Sequence, residues 1–248
     1  AYEISCSLVG SEMCIRDKVY TLPANVSRIE EYAFYGDGEL REIRIPEGVT
    51  EIGDYAFANC WYLTEITIPE SVTKIGAHAF DSCVSLKTVQ LSDNITEMGE
   101  SAFYRCLNLT EITLPGSLEK IGEAAFIYCG MREITIPKGI AEIARMAFYH
   151  CDQLETVHLQ EGLRGIGWDA FSECASLSDI RLPNTLERIE LRAFAHCTSL
   201  KQLTIPASVT TLYAGFVDAD TVLLVERGST METWLQEEGY QYTLVEVE

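Results

Sequence analysis

Phenylalanine returns along this chain with a period of 23 residues, at Phe34, Phe57, Phe80, Phe103 and Phe126, each preceded by alanine. The spacing contracts to 22 at Phe148, resumes through Phe171 and Phe194, and contracts again at a decayed copy, Phe216. A unit this short cannot bury its own apolar face and must stack on copies of itself, so the chain reads as a solenoid.

One unit shows the template: Leu63, Ile66 and Ile68, then Pro69, Val72, Ile75-Gly76, Ala79-Phe80, Cys83 and Leu86. The alternation over Leu63–Ile68 has the period of a short strand with one face buried. All seven prolines (Pro23, Pro46, Pro69, Pro115, Pro137, Pro183 and Pro206) occupy the slot that closes this strand, where a residue without an N–H ends a ladder and turns the chain. Gly53, Gly76, Gly99, Gly122 and Gly167 share a later slot, read as one where a positive φ is convenient but not required, since Glu30, Ala144 and Glu190 also fill it. The Ala-Phe pair predicts a turn of helix or 3₁₀ on the outer wall, with phenylalanine pointing inward. Fold class is therefore an α/β repeat solenoid with a parallel inner sheet.

Chemistry-bearing residues follow the same repeat. Cys60, Cys83, Cys106, Cys129, Cys151, Cys174 and Cys197 fill one slot, with no short-spaced pair of the kind that holds zinc, and read as a buried ladder of thiols. His150 and His196 lie two units apart, about 10 Å by strand spacing, too far to share an ion. Repetition argues against a unique nucleophile constellation, and the dispersed glycines form no phosphate-cradling loop. No cofactor is expected, and no enzymatic activity.

Three slots per strand face solvent on the inner wall. The first holds Arg41, Thr64, Lys87, Thr110, Arg132, Glu155, Ser178 and Lys201. The second holds Glu42, Glu65, Thr88, Glu111, Glu133, Thr156, Asp179 and Gln202. The third holds Arg44, Thr67, Gln90, Thr113, Thr135, His158, Arg181 and Thr204. Acids and bases balance at six each. The net charge of −20 must then lie on the outer wall, turns and C-terminal region, where it favours solubility and disfavours nucleic acid. No apolar run approaches the roughly 20 residues a membrane span requires. The predicted partner surface is Arg44, Glu65, Thr67, Gln90, Glu111, Thr113, Glu133, Thr135, His158 and Arg181, facing a protein or peptide. It carries no apparent aromatic anchor.

The pattern LxxIxIPxxVxxIGxxAFxxCxxL, repeated eight times between about Val19 and Leu200, resembles the BspA-like leucine-rich repeats of bacterial surface proteins and some protists. The resemblance implies a right-handed horseshoe or arc and a role in adhesion or protein binding, with a host surface or matrix protein as one class of ligand, at a secreted or cell-surface location. A structural spacer and an intracellular interaction scaffold are the alternatives.

Residues 8–17 resemble a translated transposase adapter of the kind that contaminates metagenomic gene models, and Asp17 breaks the strand template. The chain accordingly divides into an exogenous segment at 1–17, a solenoid at 18–212 and a cap at 213–248. The true protein is expected to continue upstream. The cap reads as a strand at Thr221–Val225, a helix opened by Ser229 and Glu232, and a last strand from Tyr240 to Val247.

Overall fold

The computed structural model describes residues 2–4 and 19–245. Each repeat makes one coil: an inner strand, a turn at the proline slot, a two-residue lateral strand, and an outer wall that returns the chain. The inner strands Val19–Thr21, Glu42–Arg44, Glu65–Thr67, Thr88–Gln90 and Glu111–Ile112 form one parallel sheet. Glu133–Thr135, Thr156–His158 and Asp179–Ile180 form a second. Gln202–Ile205, Val222–Glu226 and Tyr242–Val245 form a third. Neighbouring strands pair one repeat apart, as in Glu65↔Thr88 and Thr67↔Gln90.

The lateral strands build a second parallel stack. Tyr2–Ile4, Val26–Ile29, Glu51–Ile52, Lys74–Ile75, Glu97–Met98 and Lys120–Ile121 form its first part, and Glu142–Ile143, Gly165–Ile166, Arg188–Ile189 and Thr211–Leu212 its second. Residues 1 and 5–18, on which the adapter resemblance falls, lie outside the described residues; Tyr2–Ile4 pairs with Val26–Ile29.

Between the walls lies one continuous core. Phe57, Phe80, Phe103, Phe126, Phe148, Phe171 and Phe194 are each fully buried, and their rings stack face to face at 5.1–5.6 Å. The cysteine ladder is buried beside them. Each thiol donates to the phenylalanine carbonyl of the preceding coil, as Cys83 Sγ does to the Phe57 oxygen at 3.1 Å.

The outer wall differs from the sequence reading. It is not helical: among the described residues the one helix is Thr230–Glu238. The Ala-Phe segment is instead a run of β-turns, with Ala33 N–H to Glu30, Tyr35 N–H to Tyr32 and Asp37 N–H to Phe34. The residues two before and two after each phenylalanine take positive φ, among them Tyr55 (54°), Asn59 (61°), Ala124 (56°) and Tyr128 (58°). This conformation aims the amide at the next coil. Tyr55 N–H reaches the Ala77 carbonyl at 2.9 Å and Asn59 N–H that of Asp81 at 2.7 Å. Inter-coil hydrogen bonds thus offset a backbone strain of about 1–2 kcal/mol per residue.

The glycine slot also departs from expectation. Gly53, Gly76, Gly99, Gly122 and Gly167 do not take positive φ; close approach is what they permit. A Cβ on Gly99 would lie 2.5 Å from the backbone of Gly76 and Ala77, and one on Gly122 2.4 Å from Gly99.

The contraction to 22 residues falls where Cys129-Gly130-Met131 replaces Cys106-Leu-Asn-Leu109. Both ladders are interrupted there, between Ile112 and Glu133 and between Ile121 and Glu142. The outer wall continues across, through Ala124 N–H to Arg145, Phe126 N–H to Ala147 and Tyr128 N–H to Tyr149. Gly130 allows the shortened turn, since a Cβ would meet the Leu107 carbonyl oxygen at 2.4 Å.

Past Leu212 the repeat dissolves. Ser229 caps the helix by accepting from Glu232 N–H at 3.2 Å, while the Glu232 carboxylate accepts from Gly228 N–H, one residue earlier than a capping box would place it. Gly239, at φ 77°, ends the helix.

Candidate functional site

Strand alternation decides what the inner wall presents. Ile66, Val89 and Ile134 point into the core, so their neighbours face out. The predicted surface is exposed throughout: Arg44, Glu65, Thr67, Gln90, Glu111, Thr113, Glu133, Thr135, His158 and Arg181. Contacts along the stack knit part of it. Thr67 Oγ1 donates to Gln90 Oε1 at 3.2 Å, Thr88 Oγ1 to Glu111 Oε2 at 3.2 Å, and His158 Nε2 lies 2.7 Å from Glu133 Oε1. The set is divided by the break in the sheet, with Glu111 and Thr113 before it and Glu133 and Thr135 after it.

Charge on this wall is striped. Of its six acids, Glu42, Glu65, Glu111, Glu133 and Asp179 share the central slot, and the bases flank it. Glu42 and Glu65 stand directly opposite each other on paired strands. They line an open depression of about 320 Å³ together with Arg44, Glu47, Thr67 and Gln90.

The lateral wall follows another rule. Its solvent-facing slot reads Arg28, Glu51, Lys74, Glu97, Lys120 and Glu142, alternating in sign from coil to coil. Arg28 pairs with Glu51 at 3.5 Å. Farther on, Gly165 leaves room for Arg188 to reach two coils back to Glu142 at 2.8 Å, a contact that holds its guanidinium more firmly protonated than usual. Opposite charges on facing strands stabilise the register, and like charges oppose it.

Two exposed aromatics beside the inner wall were not singled out in the sequence reading. Trp61 and Tyr62, in the turn that leads into the strand of Glu65, are 54% and 48% exposed. The Arg41 guanidinium lies 5.2 Å from the Tyr62 ring centroid, tying this edge to the strand of Glu42. The slots they fill hold Val84 and Ser85, or Leu107 and Asn108, in the following units. A search for repeating columns passes over residues that occur once.

Among the described residues the arrangement offers binding groups. The described histidines sit against carboxylates, His78 on Asp81 at 2.9 Å and His150 on Asp152 at 2.7 Å. Among the described residues no three ligating side chains cluster to hold a metal ion. Burial pushes the Cys60 and Cys197 thiols up to about 12 and raises Cys83, Cys106, Cys129 and Cys174 well above the ordinary range, the reverse of what a nucleophilic cysteine needs.

Parallel strands one repeat apart, a leucine-isoleucine core and one coil per repeat define a leucine-rich repeat protein. The chain belongs to the BspA-type leucine-rich repeat family, whose region model matches residues 13–132 and 119–219. The Treponema pallidum leucine-rich repeat protein has a similar structure, with 26% identity, 89% of this chain and 91% of that one covered, and a TM-score of 0.61. The pneumococcal vaccine antigen PcpA shares the fold at 21% identity, covering 92% of this chain and 79% of that one, with a TM-score of 0.53. A leucine-rich repeat protein of Eubacterium ventriosum does so at 19% identity over 85% of this chain and 60% of that one, with a TM-score of 0.52. No curated protein matches.

Proposed function

We infer that this chain is a non-enzymatic protein-binding module that takes its ligand on the inner wall, and that it works in adhesion from a bacterial surface or in secreted form. The observation that carries the reading is the inner wall itself: ten outward polar side chains, from Arg44 to Arg181, set in parallel columns above buried isoleucine and valine. A rigid backbone presents them without the cost of ordering loops on binding. Membership of the family supports the location. No helix among the described residues is long and apolar enough to cross a membrane.

A paired substitution tests the reading. Glu111→Lys with Glu133→Lys reverses charge on the inner wall, and Glu237→Lys with Glu238→Lys makes the same net change on the exposed face of the C-terminal helix. The inner pair is expected to abolish capture of whatever partner the intact protein pulls down, and the helix pair to leave it. The opposite pattern would move recognition off the inner wall and leave the solenoid a spacer.

A further inference from the structure

Glutamates facing each other on adjacent strands are a local defect, and the rest of the molecule shows that the repeat can avoid it. On the lateral wall a residue in the equivalent outward slot meets an opposite charge at each step from Arg28 to Lys120. On the inner wall Glu42 and Glu65 are paired in register. Arg44 gives Glu42 a counter-charge at 3.5 Å, but among the described residues no basic group lies within ion-pair distance of Glu65. Like charges on opposed strands destabilise. A sequence that breaks its own rule at one exposed place is expected to do so for function.

Two further features coincide there. The depression that Glu42 and Glu65 line also takes Glu47, so three carboxylates and one guanidinium face the same space. In the turn that leads into the strand of Glu65, Trp61 is more than half exposed, with Tyr62 braced on Arg41. Exposed tryptophan on the same wall as exposed carboxylates favours a partner with a cationic head on an alkyl stem, because the stem packs on the indole while the head meets carboxylate or ring face. Tryptophan, tyrosine and arginine are also the residues in which binding energy concentrates.

We propose that the inner wall over the strands of Glu42, Glu65 and Thr88, with Trp61–Tyr62 in the turn before the second of these, receives a lysine- or arginine-bearing segment of the partner protein. The proposal rests on the inner-wall reading and gives its partner a chemistry. Charge complementarity selects the occupant: bound cations remove the Glu42–Glu65 repulsion, so the unbound wall carries the cost and the complex is relieved of it.

The test uses the whole chain and an array of short peptides of random sequence. Captured peptides are expected to be enriched in lysine and arginine. Glu42→Gln with Glu65→Gln, and separately Trp61→Ala, should each weaken their capture roughly tenfold or more, while Glu237→Gln with Glu238→Gln, which changes net charge as much as the first pair, should not. The Glu42/Glu65 pair should also melt no lower than the parent, since it removes a repulsion; a merely structural role would lower it. Capture of no cationic peptide, retention of capture in either inner variant, or equal loss in the helix pair overturns the proposal. Loss in Glu111→Lys/Glu133→Lys alone would leave the inner-wall reading standing without it, and loss in no inner variant would remove both.

Discussion

Ala124 occupies the left-handed region at φ 56° with no side chain that helps it stay there. Its amide is held by the Arg145 carbonyl at 3.0 Å, so the inter-coil bond fixes the conformation and the Cβ opposes it. Ala124→Gly is therefore expected to stabilise the protein by about 0.5–1 kcal/mol, the relief of strain exceeding the added unfolded-state entropy, as a shift in the urea midpoint would show. The slot was not legible in the sequence. Tyrosine, histidine, serine, methionine, aspartate and arginine fill it in the other repeats and glycine in none, because its geometry is imposed by the neighbouring coil. The cysteine slot was legible, since seven small sulfur residues in one column read directly as a thiol ladder. Its consequence is a dependence on pH. Folding raises the pKa values of Cys60, Cys83, Cys106, Cys129, Cys174 and Cys197 above 9.0, to about 12 at Cys60 and Cys197, so the fold favours the protonated thiol at these six. That contribution is complete below pH 9.0 and drains as pH rises toward about 12, by up to about 1.4 kcal/mol per pH unit for each thiol. Urea midpoints should therefore fall above pH 9.0, and fall less steeply in Cys60→Ala/Cys197→Ala; equal slopes would show that the thiols do not set the dependence.

Between elements, the close approach of successive coils predicts which glycines are indispensable. Gly99→Ala places a methyl 2.5 Å from two backbone atoms that cannot swing aside, and should cost about 1–3 kcal/mol by thermal or chemical melting. Ala144 carries a Cβ in the same slot, and it stands just past the interruption of the lateral ladder. That interruption is the other consequence at this scale. With the inner ladder broken between Ile112 and Glu133 and the lateral one between Ile121 and Glu142, amides there rely on the outer-wall bonds, and hydrogen exchange should be faster at Glu133–Thr135 than at Glu65–Thr67, which is paired on both sides. Equal protection would mean that the turns alone carry the coupling. The sequence showed the missing residue plainly as a spacing of 22. It did not show that two sheets stop there while the phenylalanine stack runs on, because ladder continuity depends on the path of the shortened turn. The strands themselves, their period of two and the outward columns were legible, since buried leucine and isoleucine fix which face turns in. Trp61 and Tyr62 were equally present in the sequence and were hidden by their singularity.

For the whole molecule, the geometry makes stability a sum over neighbours, and the break makes that sum uneven. Phe126 stacks on Phe103 at 5.5 Å and on Phe148 at 5.3 Å, so it bridges the place where the sheets do not. Phe216 meets one tilted ring, Tyr240 at 5.7 Å. Both are fully buried, and transfer from water alone would make their truncations equal. Neighbour coupling makes them different. Phe126→Ala should cost about 3–5 kcal/mol and Phe216→Ala less. The larger loss should also change the form of unfolding, because without its ring the two halves keep the outer-wall bonds and little else across the junction. Trp61 lies on one side and Trp168 on the other. Variants that retain one or the other as the sole tryptophan report each half by fluorescence, the removed indoles being replaced by phenylalanine. In the parent background the two reporters are expected to lose signal at one denaturant concentration. In the Phe126→Ala background their midpoints should separate, since each half then unfolds on its own contacts. Coincident midpoints in both backgrounds would show that the turns of the outer wall are enough to couple the solenoid from end to end.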